Sequence, residues 1–511
     1  MLRRAPGLLA GTVTAVLVGL LLHQRSTQHL VNVDDYLYSR QTDLFWEALT
    51  SGRIGIVDAW KLFAVNSPLV PALASPIAAF SASPGAFVLV QVPLALGLLA
   101  GAAALLRRTG VAGPAKWAAA LAAVAMPPVL TYTAMLSFAV AASLCTVATL
   151  AVYLSTQRLR LRWQSALLGL LFGLLSLSRV VALVYAAAIG LPMAVDLLLD
   201  RGDWRRRVQN LGITIAVAFA VAAPWWLTAG PKAMDYLLDA GYSSGSVFTS
   251  DTSPLRTELN RLTHTADETG WLLAWLLVAV WIAGLASSVV SFRRERTEAA
   301  RATILVATAV PIGMVLLGTS SNAGTAFALP FEVLAVVIAV AGLRSLIGRA
   351  VLALAGVAVA VAATAVFTSD APSAWHGHEL WLAGIPARAQ QQAALGCRCA
   401  LPDVAELNRD VYDLIGTAPT LILRDDAMVN PESLRWLAQL DRKDLQLAAP
   451  PGATVDAGQL AATEYVLAGS TPAPYLGVNL AAAEQALPGA GFHKVFTRRL
   501  SAASTVEVWS R

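Results

Sequence analysis

"APGLLAGTVTAVLVGLLL" (5–22), followed after a short polar stretch by "VNVDDYLYSRQTDLFWEALTSGR" (31–53), sets the reading of the whole chain. The first segment is apolar over about 18 residues, enough to cross the hydrocarbon core as a helix. Arg3 and Arg4 precede it, and "HQRSTQ" after it lacks a small-residue cleavage pattern. The sequence therefore predicts an uncleaved first span. The second segment places two adjacent acids, Asp34 and Asp35, close to the exit of that span. On a helix their side chains diverge by about 100°, so at most one aims at a given substrate atom. Downstream, Leu37, Leu44, Phe45 and Leu49 fall at helical spacing. They predict an amphipathic helix lying on the membrane with these residues toward lipid.

The rest of the chain agrees with a membrane setting. Of 511 residues 57% are hydrophobic and 14% charged, and the mean hydropathy is +0.61. A water-soluble fold of this size has nowhere to put that much apolar surface. A net charge of +5 does not point to nucleic acid. Cys145 lies in an apolar run and reads as packing, whereas Cys397 and Cys399 form a C-R-C, too short for a zinc site. That pair is either a strained local disulfide or two thiols.

Apolar runs at 5–22, 84–106, 117–134, 136–155, 164–178, 180–196, 209–229, 271–291, 302–318, 329–343 and 350–367 predict about eleven spans. Alternate connections are basic: Arg3 and Arg4; Arg107, Arg108 and Lys116; Arg158, Arg160 and Arg162; Arg201 and 205–207; Arg293, Arg294, Arg296 and Arg301; Arg344 and Arg349. The positive-inside rule places these, and the N-terminus, in the cytoplasm. Pro68, Pro71 and Pro76 mark "SPLVPALASPIAAF" (67–80) as interfacial or re-entrant, because a crossing there would reverse every later basic loop. Two outer loops result, at about 23–83 and 230–270, with an outer tail from 368. The chain reads as a transmembrane domain, 1–367, and an extracytoplasmic α/β domain, 368–511. In the tail, "TLILRDD", "ATEYVLAG", "HKVFTRR" and "TVEVWS" read as strands and "NPESLRWLAQL" and "NLAAAEQAL" as helices, the former capped by Asn430.

Several positions carry chemistry. Asp34 and Asp35 suit a base or metal ligand at the membrane boundary, against a solvated loop or a helix N-cap as the plain alternative. Arg179 interrupts two short apolar runs in "LLSLSRVVALVY" (174–185). An arginine there either snorkels or meets an anion such as a lipid phosphate. Arg40, Arg53 and Lys61 share the first outer loop, and each taken singly reads as surface charge. Glu332 lies near the start of an apolar run after Pro330, as an intramembrane acid or a helix-dipole partner. Trp225 and Trp226 read first as interfacial aromatics. No Ser-His-Asp grouping, zinc motif or phosphate loop stands in the sequence.

These pieces, in this order, resemble the GT-C membrane glycosyltransferases, above all the family 39 protein O-mannosyltransferases and the bacterial aminoarabinose transferases. The resemblance is carried by "VNVDDYLYS", "ALTSGRIGI" and "VNSPLVPAL", then "GLLFGLLSLSRVVALVYAAAIGLP", "APWWLTAG", "FALPFEVLAV" and the terminal "GFHKVFTRRLSAASTVEVW". The chain departs from the pattern with Asp35 where the pair's second acid is Glu, no acid in "TYTAMLSFAV", and Ala326-Phe327 in place of Arg-Tyr. The resemblance implies an inverting transferase at the plasma membrane. It would move a sugar from a polyprenyl-phosphate donor to a hydroxyl on a glycan, lipid or protein. It also implies Asp34 or Asp35 as base and Arg179 as phosphate holder, aided by Lys61 or Arg53. Arg40, Glu332, Trp225 and Trp226 would line the site, and a divalent cation stays an open option. A transporter or flippase would favour internal repeats and broken mid-membrane helices. Such repeats are not evident in the sequence, and the acids gather at the outer boundary. A non-catalytic scaffold is the third reading.

Overall fold

The computed structural model describes residues 19, 33–52, 55–81, 84–200, 202–242, 253–320, 322, 325–343, 401–424, 429–450, 455–471, 481–502 and 504–511. The run at 5–22 apart from Gly19, the run at 350–367, Arg53, the C-R-C pair and the 367/368 boundary lie outside the described residues.

Within residues 33–343 the described helices of seven residues or more are α1 (Val33–Ser51), α2 (Gln91–Arg108), α3 (Pro114–Val124), α4 (Pro127–Thr133), α5 (Ala139–Ser155) and α6 (Arg162–Ser178). They continue with α7 (Ala182–Leu199), α8 (Trp204–Tyr242), α9 (Pro254–Thr269), α10 (Trp271–Glu295), α11 (Glu298–Gly318) and α12 (Leu329–Leu343). Among the described residues five helical stretches are long and apolar enough to cross a membrane: Gly85–Arg108, Ala182–Leu199, Trp204–Asp239, Ala274–Glu295 and Glu298–Gly318. Ala139–Ser155 and Leu329–Gly342 are apolar but shorter. The sequence expectation of about eleven spans is thus met in part.

Two expectations are corrected. The run at 117–134 is two helices, α3 and α4, because Pro127 and Pro128 lack the N–H groups a continuous helix needs and instead begin α4. The predicted outer loop at 230–270 is largely helical: α8 runs on through Pro224 and Pro231 to Tyr242, and α9 covers Pro254–Thr269. At 39 residues α8 is about 58 Å long, more than a bilayer core. It exposes Val208, Ile215, Phe219 and Leu227, as a lipid-facing helix does.

Close packing of α6 on α8 depends on Gly169 and Gly173. A Cβ on Gly169 would lie 2.4 Å from the Thr214 carbonyl oxygen, and one on Gly173 2.7 Å from the Val221 Cβ. Two small residues one turn apart let the backbones touch, the usual device where lipid removes the hydrophobic drive for helix pairing.

The short turns over 56–79 wrap α1. Phe45, predicted to face lipid, is instead buried against Trp60 and Phe63, with ring centroids 5.4 and 4.8 Å away. Tertiary packing has covered most of α1, leaving Leu49 exposed.

Residues 401–511 supply a five-stranded sheet, with β1 (Thr420–Ile422), β2 (Leu447–Ala448), β3 (Tyr465–Ala468), β4 (His493–Arg499) and β5 (Thr505–Ser510) in the order β2-β1-β3-β5-β4. β1 pairs in parallel with β2 and β3, and β5 pairs antiparallel with β3 and β4. The four strands read from sequence appear at their places. Helices α13 (Leu401–Ile415) and α14 (Pro431–Leu440) add Val404, Leu407, Val411 and Leu434 to a core with Ile422, Leu467, Val506 and Val508. The Asn430 cap of α14 is present as a capping box with Ser433. α14 docks on the membrane helices: Gln439 donates to the Asp43 carboxylate at 2.8 Å, Glu432 faces Arg40 at 3.6 Å, and Trp436 meets Phe87 edge-on.

Candidate active site

The site gathers at the end of the bundle where α2, α5 and α7 begin. The chain turns sharply between α4 and α5, over residues 134–138, and this turn is held by side chains because it makes few helical hydrogen bonds. The buried Gln91 amide donates to the carbonyls of Met135 and Ser137 at 2.9 and 2.6 Å. From the other side, the Leu136 N–H donates to Asp35 Oδ1 at 2.5 Å. Asp35 is 5% exposed, so the amphipathic helix predicted from sequence turns one of its two acids into the bundle. Its carboxylate and burial together hold the neighbouring Tyr36 phenol above its ordinary range, with burial the larger cause. Asp34 occupies the preceding position of α1, and its side chain is outside the described residues.

Arg179 stands across the same turn. α6 stops at Ser178 and Arg179 is extended, with φ −165° and ψ 150°, before α7 begins. Its guanidinium lies 3.5 Å from the Phe138 ring centroid and 3.6 Å from that of Phe327. Stacking on two aromatic faces orients the planar cation so that it donates edgewise, in its own plane. Tyr185 completes this wall: it interacts with Arg179, donates to the Phe327 carbonyl at 3.0 Å, and packs edge-on against Phe331. Asp35 and Arg179 are therefore linked through three residues, Leu136 to Phe138, although they lie far apart in sequence.

A second cation was missed by the sequence reading. Arg261 on α9 is fully buried, bonded to Glu258 and, at 2.5 Å, to the Asn322 carbonyl. It also lies near Tyr185. Burial lowers the Arg261 pKa and raises that of Glu258, while their pairing opposes both shifts. An i,i+3 Glu–Arg pair in a loop looks the same in sequence whether it is solvated or buried, so only its tertiary setting distinguishes it.

The other predicted positions are distributed as follows. Glu332 is half-buried in the first turn of α12, one residue from Phe331, and so borders the Tyr185 wall. Trp225 is fully buried, and its Nε1 has no hydrogen-bond partner among the described residues. It stacks edge-on with half-buried Trp226 at 4.9 Å. Trp225 is thus a core residue of the bundle, correcting the interfacial reading. Arg40 is occupied by Glu432 of α14. Lys61 is exposed and pairs with Asp58 at 2.5 Å. Among the described residues there is no group of three His, Cys, Asp or Glu placed to hold a metal ion.

The fold has counterparts among solved structures. ArnT from Cupriavidus metallidurans has a similar structure, with TM-score 0.59, 15% identity and 97% of each chain covered. Its undecaprenyl-phosphate-bound form gives TM-score 0.57 at the same identity and coverage. The mycobacterial arabinofuranosyltransferase AftD gives TM-score 0.56 at 14% identity, covering all of this chain and 42% of that one. These likenesses are of fold. No curated protein matches the sequence at a significant level. The family model of glycosyltransferase family 87 matches residues 64–319, half of the chain. That stretch holds the 134–138 turn, Arg179, Tyr185 and Arg261, and the chain is a member of glycosyltransferase family 87, a multi-pass membrane glycosyltransferase of the GT-C type.

Proposed function

We propose that the protein transfers a sugar from a polyprenyl-phosphate carrier to an acceptor hydroxyl on the outer face of the cytoplasmic membrane, with inversion at the anomeric carbon. The acceptor is a cell-envelope glycan, a lipid or a protein. The observation that carries this reading is the convergence of Asp35 and Arg179 on the 134–138 turn in a family 87 chain. A relative in fold is known with undecaprenyl phosphate bound, which supports a lipid-phosphate donor. The distribution of arginines supports the outer placement: Arg107, Arg158 and Arg301 lie at the opposite end of the bundle from Asp35. The helix Pro431–Leu440 of the C-terminal unit meets α1 at Arg40 and Asp43, which supports an outer position for residues 401–511 as well.

In the reaction the acceptor oxygen bonds to the anomeric carbon as the bond from that carbon to the phosphate oxygen breaks. The electron pair leaves with the lipid phosphate, already a stable anion, so no general acid is needed. The acceptor proton passes to a carboxylate. Asp34 takes that role, being the first acid of the pair, while Asp35, with one oxygen held by Leu136, fixes α1 against the turn. Arg179 receives the phosphate as charge builds on it.

The test is transfer from a labelled polyprenyl-phosphate sugar, identified from lipids that accumulate in cells lacking the protein. In reconstituted vesicles Asp34→Asn should lower turnover by about 10²–10⁴-fold with unchanged folding. Asp35→Asn should lower thermal stability as well as turnover. Full transfer by both single variants and the double variant would end the assignment.

A further inference from the structure

The basic end of the bundle carries a cavity that the transfer reaction does not use. It is open, has a volume of about 450 Å3, and is lined chiefly by Arg107, Arg108, Arg158, Arg160, Arg301 and Glu298. Two helix ends and one connection bring these residues together: the last turn of α2, the α5–α6 connection, and the first turn of α11. α2 separates it from the active site. Gln91 at one end holds the 134–138 turn, and Arg107 at the other end stands about 24 Å away along the helix.

The arginines fall into two groups. Arg158, Arg160 and Arg301 are fixed by acids: Arg158 to Asp196 and Asp200 at 3.5 and 3.3 Å, Arg160 to Asp200 at 3.0 Å, and Arg301 to Asp196 at 2.6 Å and Glu298 at 2.8 Å. Arg107 and Arg108 are exposed and have no acidic partner among the described residues. One wall is therefore a rigid scaffold and the other two guanidinium groups face open space. The scaffold includes an unusual backbone. Gln157, Arg158 and Leu159 are consecutive left-handed residues, with φ 54°, 60° and 63°. They are held there by Thr156, which accepts from Arg160 and Leu161 and caps the Leu159 N–H, and by Asn210, which donates to the Leu159 carbonyl. Three such residues in a row persist only where the surroundings enforce them, which is common at ligand sites.

We propose that this cavity binds a phosphate group, with Arg107 and Arg108 as its donors, and that the phosphate is that of an anionic phospholipid headgroup. Guanidinium forks match phosphate oxygens in pairs. The cavity lies at the end of a helix long and apolar enough to cross a membrane, at the arginine-rich end that the positive-inside rule assigns to the anionic inner leaflet. Free phosphate shares the chemistry, and the two sources are separable by experiment.

Full-length protein is placed in nanodiscs of phosphatidylcholine with phosphatidylglycerol, and the lipids it retains are read by native mass spectrometry. Wild type should retain phosphatidylglycerol over phosphatidylcholine, and the double variant Arg107→Gln/Arg108→Gln should retain about tenfold less of it. Arg107→Lys/Arg108→Lys should recover part of the loss, which a purely structural role for these exposed residues would not produce. In a second arm, inorganic phosphate is titrated onto the protein in pure phosphatidylcholine nanodiscs while thermal unfolding is followed. A wild-type stabilisation absent from the glutamine variant supports the site with free phosphate as ligand. Lipid retention with no response to phosphate supports the site with lipid as ligand. The proposal is overturned if wild type and the glutamine variant are indistinguishable in both arms.

Discussion

Arg179 and Asp35 both contact one short turn, and each is held by a different kind of contact. Asp35 is tied by a backbone N–H, Arg179 by two aromatic faces. The difference matters for substitution. Arg179→Ala removes the cation and should lower turnover about 10²–10³-fold, in the range for losing one transition-state donor. Arg179→Lys keeps the charge but loses the planar fork and the stacking, so its turnover should fall between wild type and Arg179→Ala; equal activity of all three would show that no phosphate is held there. A second residue-scale prediction concerns acid. The Asp200 carboxyl is held below the ordinary range first by the Gly202 N–H, then by Arg158 and Arg160. A depressed carboxyl pKa contributes stability above the unfolded value of about 4 and loses it as pH falls through the folded value. Thermal unfolding in detergent should therefore drop between pH 5 and pH 3 by less in Asp200→Asn than in wild type.

Among the elements, the α6–α8 pair is a contact that depends on single atom positions. A side chain at Gly173 meets the Val221 side chain at once, and both belong to long helices that have no room to bend away. Gly173→Leu should destabilise by about 1–3 kcal/mol, read as a lower unfolding temperature, whereas substitution at Gly190, where nothing lies near the Cβ position, should be close to neutral. The break between α6 and α7 was legible in sequence because an arginine interrupts an apolar run there. The break between α3 and α4 was overlooked, although Pro127-Pro128 marked it. The course of α8 through Pro224 and Pro231 runs the other way. In water these prolines would argue for a helix end, but in a bilayer the freed carbonyls find partners among neighbouring helices.

On the scale of the whole molecule, the arginines at one end and the Asp35–Arg179 site at the other give the bundle an electrostatic axis. Single cysteines introduced at exposed positions in a Cys145→Ser/Cys397→Ser/Cys399→Ser background test its direction. An impermeant thiol reagent applied to intact cells should label Lys494→Cys in the sheet and spare Arg107→Cys; the reverse pattern would invert the topology. The sequence by itself determined the membrane class, the alternation of basic connections, and the strands and helices of the tail, and it singled out Asp34, Asp35 and Arg179 as candidates. These depend on composition, charge and periodicity, which are local. Only the tertiary structure decided which partners those residues meet. It turned Asp35 inward, buried Phe45, gave Arg40 to Glu432, and brought Arg261 from an apparently ordinary polar loop to the side of Tyr185. The physical reason is that burial and pairing arise between segments far apart in the chain. A charged residue carries the same letter whether water, an acid or an aromatic ring surrounds it.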